Sequence, residues 1–264
     1  MMKKIFAAIL SIALMAGASA CGEKKAEGPD YADDEAMSVI SEGFNERSAL
    51  IDKLKGQGKD TSESKYFQQI IQTEIDNDKP LKARQFKDSK LQEQVIAYLN
   101  SLDDQLAVVK KYSSTSAEYD RARSEAYDKR STILKTFVDK YGLKVDSKYQ
   151  DTLDDLVRNG NSVQEKNETD QAINNLISSA KFDRTEAEYG GYYTYTTVIE
   201  NTSKINFGYV SLLLALYDAN GVKVGEASAS TSSWAAGEKV RFEAGTDIDA
   251  AQIKVSVSGY EVAK

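Results

Sequence analysis

With no histidine in the chain, carboxylates, Lys, Tyr, Ser and a single cysteine are the side chains that could do chemistry. Without His there is no Ser-His-Asp or Cys-His pair and no imidazole to move protons near neutral pH. Without clustered Cys there is also no ordinary zinc site. General acid-base work would then fall to paired carboxylates. Asp151, Asp154 and Asp155 lie three or four apart on one helical turn, and Asp33, Asp34 and Glu35 are consecutive. Asp76-Asn77-Asp78 sets oxygen ligands at alternate positions, but a calcium loop needs Gly sixth and Glu twelfth, where this chain has Leu81 and Lys87. These acidic groups are expected to be solvated helix faces and a helix-terminal cluster. Neither a metal, nor another cofactor, nor catalysis is expected.

Tyrosine offers a different chemistry. There are 15, and Tyr189, Tyr192, Tyr193 and Tyr195 crowd one segment. Strand alternation puts Tyr193 and Tyr195 on one face and Tyr192 on the other, so part of the cluster is expected to face water. Exposed aromatic rings can stack on sugars or on a partner protein, whereas cross-strand packing is the ordinary use of such residues. Trp234 stands in the turn Ser232-Ser233-Trp234-Ala235, either as a cap on the core or as an exposed contact. Tyr192, Tyr193, Tyr195 and Trp234 form the candidate binding surface.

The cysteine is Cys21. Ahead of it, Lys3 and Lys4 make a positive start, and Ile5 to Ala20 is apolar apart from Ser11 and Ser19 and ends in small residues. That is the layout of a secretory signal, and the apolar run is shorter than the roughly 20 residues a spanning helix needs. Ala18-Ser19-Ala20-Cys21-Gly22 resembles a lipobox, the motif cut by signal peptidase II before a diacylglycerol-bearing Cys, with Ala18 where Leu is usual. Ala18-x-Ala20 also suits the ordinary signal peptidase, which would release the chain. A lone Cys at this position favours lipidation. The resemblance implies residues 1–20 as a lipoprotein signal peptide, Cys21 as the lipidation site, and an anchor on the extracytoplasmic face of a membrane.

Past the signal, the 34 basic residues less Lys3 and Lys4 face 41 acidic ones, a net charge of −9. Like charges repel over the Debye length, so nucleic acid is not expected as a partner. The expected partners are the membrane, reached through the N-terminal lipid, and an envelope protein or cell-wall component.

The elements that would position these groups divide by period. Residues 21–30 lack large apolar side chains and read as a tether. Over residues 31–180 the apolar residues recur every three or four positions, which marks amphipathic helices. Met37, Ile40, Phe44, Ile51 and Leu54 form one stripe, ended by Gly56 and Gly58, and Phe67, Ile70, Ile71 and Ile75 form the next. Pro80 fits the first turn of a third helix, which carries Leu91, Val95, Leu99, Leu102, Leu106 and Val109. A fourth starts near Ser116 and ends at Gly142. Two shorter helices follow, one with Tyr149, Leu153, Leu156 and Val157, the other with Ile173, Leu176 and Ile177. Short loops predict an antiparallel helical bundle, coiled-coil-like in its narrow stripes.

Residues 181–264 change to a strand pattern: Tyr192–Glu200, Val210–Tyr217, Val222–Ala229, Lys239–Ala244 and Gln252–Tyr260, with Asp218-Ala219-Asn220-Gly221 as a hairpin turn. The expectation is a small antiparallel Ig-like β-sandwich, giving an α+β chain. Asn201-Thr202-Ser203, Leu214-Ala215-Leu216-Tyr217-Asp218, Gly221, Gly237-Glu238 and Phe242-Glu243 resemble the FxLYD domain of bacterial surface lipoproteins, with Leu214 in place of the signature Phe. The resemblance implies a fold and an envelope setting, with structural roles for these residues, and no reaction.

Two function classes follow. The first is a non-enzymatic, membrane-anchored surface lipoprotein serving as an interaction or structural module of the cell envelope. The second is a solute- or glycan-binding lipoprotein that uses the Tyr-rich face.

Overall fold

The computed structural model describes residues 30–263. The expected signal peptide, Cys21 and nearly all of the expected tether lie outside the described residues. The described residues are α+β, with five α-helices followed by two small antiparallel sheets. The helices are α1 (Ala36–Gly56), α2 (Ser64–Asp78), α3 (Ser89–Lys111), α4 (Ala117–Tyr141) and α5 (Gln150–Ile177). No helix among the described residues is long and apolar enough to cross a membrane.

Local chemistry sets the helix ends. The Asp88 carboxylate accepts from the backbone N–H of Lys90 and Leu91 and starts α3, and the Ser116 hydroxyl accepts from Tyr119 N–H and starts α4. Each satisfies donors that the first helical turn leaves without a partner. Gly142 closes α4 in the left-handed conformation, at φ +69°. Pro80 departs from its expected place: it lies in a 3-10 turn, Lys79–Ala83, directly after α2. Asp33 accepts the backbone N–H of both Lys87 and Asp88 at 2.7 Å, which ties the entry of the chain to the α2–α3 connection. Those bonds hold its carboxyl below the usual range.

The expected stripes bury as a core. Ile40 and Phe44 of α1 meet Leu91, Val95, Leu99 and Leu102 of α3, Leu134 and Phe137 of α4, and Leu153 and Leu156 of α5. The two short helices expected after Gly142 are instead one helix of 28 residues, α5, about 42 Å long. Its middle, between Val157 and Ile173, lacks an apolar stripe, and apart from Gly160 its residues are exposed or half-buried. That stretch is supported by same-face polar pairs such as Gln164 with Glu168 and Lys166 with Asp170. Gly160 lets α5 close on the α4 backbone at the Ser131 carbonyl, where a side chain would collide.

The strands are β1 (Asp183–Glu186), β2 (Tyr193–Glu200), β3 (Phe207–Tyr217), β4 (Lys223–Thr231), β5 (Lys239–Thr246) and β6 (Gln252–Val262). They form two sheets, β1-β2-β5 and β4-β3-β6. Val210, Leu212, Leu214 and Leu216 of β3 alternate inward and share a core with Tyr195, Phe242 and Ala244 of the other sheet. Ile173, Leu176 and Ile177, the last turns of α5, belong to that core as well. Tyr260 of β6 donates to Asp170 of α5 at 2.6 Å, and burial together with this bond pushes its phenol up to about 12.

Asn201, in a stretch expected to resemble the FxLYD domain, has a structural role. Fully buried, it donates through its side-chain amide to the carbonyls of Ile205 and Trp234 and accepts from Ser203. Its backbone also exchanges bonds with Gly237 and Glu238. One side chain thereby joins the end of β2 to the turn before β5. Asp218 accepts the N–H of Asn220 and Val222 and so shapes the β3–β4 turn, which Gly221 completes at φ +77°.

Candidate functional site

The expected aromatic surface divides in two. Trp234 is fully buried: its indole N–H donates to the Glu238 carbonyl at 3.1 Å, and its ring meets Phe242 edge-on with centroids 5.3 Å apart. Tyr195 is buried too, and its hydroxyl donates to Ile248 O and accepts from Ala250 N–H. Both hold the sheets together, which removes them from the candidate surface. The turn around Trp234 has no period to show which way its ring points, and the strand face shared by Tyr193 and Tyr195 is the inner one. Tyr193 is half-buried beneath the Arg184 guanidinium. Tyr192 alone of the four is exposed, and its ring lies across Gly245, where no Cβ stands in its way. A binding face of four aromatics therefore does not exist in this fold.

The concentration of chemistry is in the helices, at residues that the sequence pattern did not single out as a group. Arg47 of α1, Glu74 of α2, Tyr98 and Gln105 of α3, and Arg130 of α4 form one buried network. Glu74 is completely buried. Arg130 Nη2 donates to both its oxygens, at 2.8 and 3.1 Å, Arg47 Nη1 donates to Oε2 at 2.7 Å, and the Tyr98 hydroxyl donates to Oε1 at 2.5 Å. Arg47 Nη1 also reaches Gln105 Oε1 at 3.3 Å. Burial raises the Glu74 carboxyl, but Arg130 and Arg47 outweigh it and hold it down to about 2. Burial also works against the charge on Arg130, and Glu74 and Tyr98 reverse that and raise it. Arg47 goes the other way, lowered by burial and by Arg130. The Tyr98 phenol is driven well above its ordinary value, chiefly by burial. Held this way, Glu74 stays ionised and Tyr98 stays protonated near neutral pH.

One helical turn beyond Glu74, Asp78 is the reverse case. It is fully buried against Gly43 of α1, and neither carboxyl oxygen has a hydrogen-bond partner among the described residues. Burial, then the neighbouring Glu74, push it up to about 9, so it is a neutral acid near pH 7. Asp78 thus departs from the solvated helix-terminal cluster expected of Asp76-Asn77-Asp78. Asp151, Asp154 and Asp155 are exposed on α5, as their spacing predicts for a solvated face.

A half-open cavity of about 490 Å³ lies directly over the network. Phe44, Ile51, Phe67, Val108 and Leu156 provide apolar wall, Arg47 and Arg130 the charged part of the floor, and Arg123, Asp120 and Asp155 the charged rim. The Arg130 guanidinium also lies over the Phe44 ring, 5.4 Å from its centroid, and Arg123 over Phe67 at 5.6 Å. The signal for these residues was present in the spacing. Arg47 falls three after Phe44, Glu74 and Asp78 four and eight after Ile70, and Arg130 three before Ile133. Each charge stands on the apolar stripe, not opposite it.

No family model matches the chain, and no curated protein matches it. Among solved structures it is similar to Pseudomonas fluorescens alkylpurine DNA glycosylase AlkC bound to DNA containing an abasic site analog, at 10% identity and a TM-score of 0.17. The likeness covers 72% of this chain and 64% of that one, and at this TM-score it carries no argument about fold, activity or ligand. The expected membrane, envelope-protein and cell-wall partners gain nothing from it, and the exclusion of nucleic acid, which rested on net charge alone, is withdrawn. The physical reason is that net charge bounds only long-range attraction. Arg47, Arg123 and Arg130 gather locally in a chain that is acidic as a whole.

Proposed function

We propose that the chain is a non-enzymatic lipoprotein, anchored through Cys21 to the extracytoplasmic face of a membrane, whose helices form a bundle that carries an FxLYD-like, Ig-like β-sandwich. What carries this reading is α5, a single helix whose first half packs in the helical core and whose last turns pack in the sheet core. A continuous helix shared by two cores suits a module that holds one unit in a set relation to the other. It does not suit a pair of lobes that close on a substrate. The lack of His and the ionised, fully occupied Glu74 support the non-enzymatic part.

Membrane fractionation of cells producing the parent and Cys21→Ala, with mass spectrometry of the mature N-terminus, tests the reading. The parent should sediment with membranes and carry a diacylglyceryl-modified Cys21, and the variant should be released. A parent chain without lipid at Cys21 overturns the anchor. An envelope-directed hydrolytic activity lost on a single carboxylate-to-amide change overturns the non-enzymatic assignment.

A further inference from the structure

We infer that the cavity over the Arg47–Glu74–Arg130 network is a binding site for a small amphipathic monoanion, a carboxylate with an aliphatic body. Its size is that of a small-molecule pocket, typically about 300–1,000 Å³. Most of its wall is aliphatic or aromatic, and the polar groups are confined to the floor and rim.

Counting charge selects the head group. Below the floor two guanidinium groups share one carboxylate, since Glu74 is ionised and Asp78 is neutral. On the rim the charges of Arg123 and Asp120 cancel in number, while Asp155 is paired with Arg158. One positive charge is left over, in a part-buried place where it costs more than in water. A monoanion cancels it, whereas a cation or a dianion leaves charge unmatched.

Hydrogen bonding points the same way. Arg130 spends Nη2 on Glu74 and Tyr98, and its Nε is buried without an acceptor. Neither Arg130 Nη1 nor Arg47 Nη2 has an acceptor among the described residues, although both side chains are close to nine-tenths buried or more. A planar carboxylate suits adjacent guanidinium donors. Phe44, Ile51 and Phe67 would then receive the aliphatic body.

The test is isothermal titration of the purified protein, freed of its anchor by Cys21→Ala, with octanoate, octan-1-ol, octylammonium and acetate, all below micellar concentrations. Octanoate should bind one to one and at least tenfold more tightly than octan-1-ol or acetate, with no binding of octylammonium. Ser124→Trp, an exposed substitution that fills the cavity mouth, should weaken octanoate at least tenfold, and Arg123→Gln severalfold, with parental circular dichroism in both. Equal binding of octanoate and octan-1-ol, binding of neither, or octanoate binding unchanged in a folded Ser124→Trp protein overturns the inference.

Discussion

Gly43 of α1 and Asp78 of α2 share one space: a Cβ on residue 43 would overlap the Asp78 carboxyl, which has no hydrogen-bond partner among the described residues to hold it elsewhere. The missing side chain on one helix is what lets the next helix bring a carboxyl into the core. Gly43→Ala should therefore destabilise the protein by about 1–3 kcal/mol through overpacking. Pairing it with Asp78→Ala should recover part of that loss, because the two changes act on one contact. Urea midpoints of the four proteins in the cycle check this.

Asp78 also fixes a pH dependence. Its folded value of about 9 lies above its ordinary 3.8, so the folded chain holds a proton that the unfolded chain releases. The contribution of the neutral acid is full below about pH 4 and is lost as pH rises toward 9. Asp78→Asn, which cannot ionise, should gain on the parent across that window by at most about 1.4 kcal/mol per pH unit. Parallel urea titrations between pH 5 and 9 measure the difference, and parallel curves with no relative gain would count against a neutral Asp78.

Glu74 has the opposite sign. It is held down to about 2 from 4.5, so its contribution is present above pH 4.5 and lost as pH falls toward 2. Glu74→Gln should lose that acid limb. It should also cost about 3–5 kcal/mol at neutral pH, since Arg47 and Arg130 are left buried without their carboxylate. Stability against pH for the two proteins reads both effects.

The helix stripes and the strand alternation were legible because burial on one side writes a period into the sequence: Leu91 to Val109 in α3 and Val210 to Leu216 in β3 bury as that period requires. The length of α5 was not legible, because the polar middle between Val157 and Ile173 resembles a break to any pattern based on burial. The charged network was half legible. Arg47, Glu74 and Arg130 stand on apolar stripes, yet their mutual compensation depends on three different helices coming together, and spacing within one helix carries no such information. For Trp234 the spacing left a core cap and an exposed contact both open, because a residue outside any period has no face, and its bridge to Phe207 turns it inward.

Trp234 is the chain's only tryptophan, and it lies in the sheet core beside Phe207 and Phe242. Its emission should be that of a buried indole, shielded from acrylamide until the protein unfolds. Because Ile173, Leu176 and Ile177 of α5 share that core, loss of Trp234 emission and loss of helical circular dichroism should coincide in urea. Ile173→Ala should shift both together, by about 2–5 kcal/mol. Two separate transitions would show that α5 does not join the cores energetically.

A rod that belongs to both ends also keeps phase. One residue added in the solvated middle of α5 would turn everything beyond it by about 100° and advance it about 1.5 Å, swinging the sheets around the helix axis relative to the arginine cavity. Seven added residues would restore the bearing to within about 20° while lengthening the rod by about 10 Å. Apart from Gly160 and Asp170, the polar stretch between Val157 and Ile173 should therefore accept changes of composition more readily than changes of length, and deletions or insertions there should be tolerated best as whole heptads.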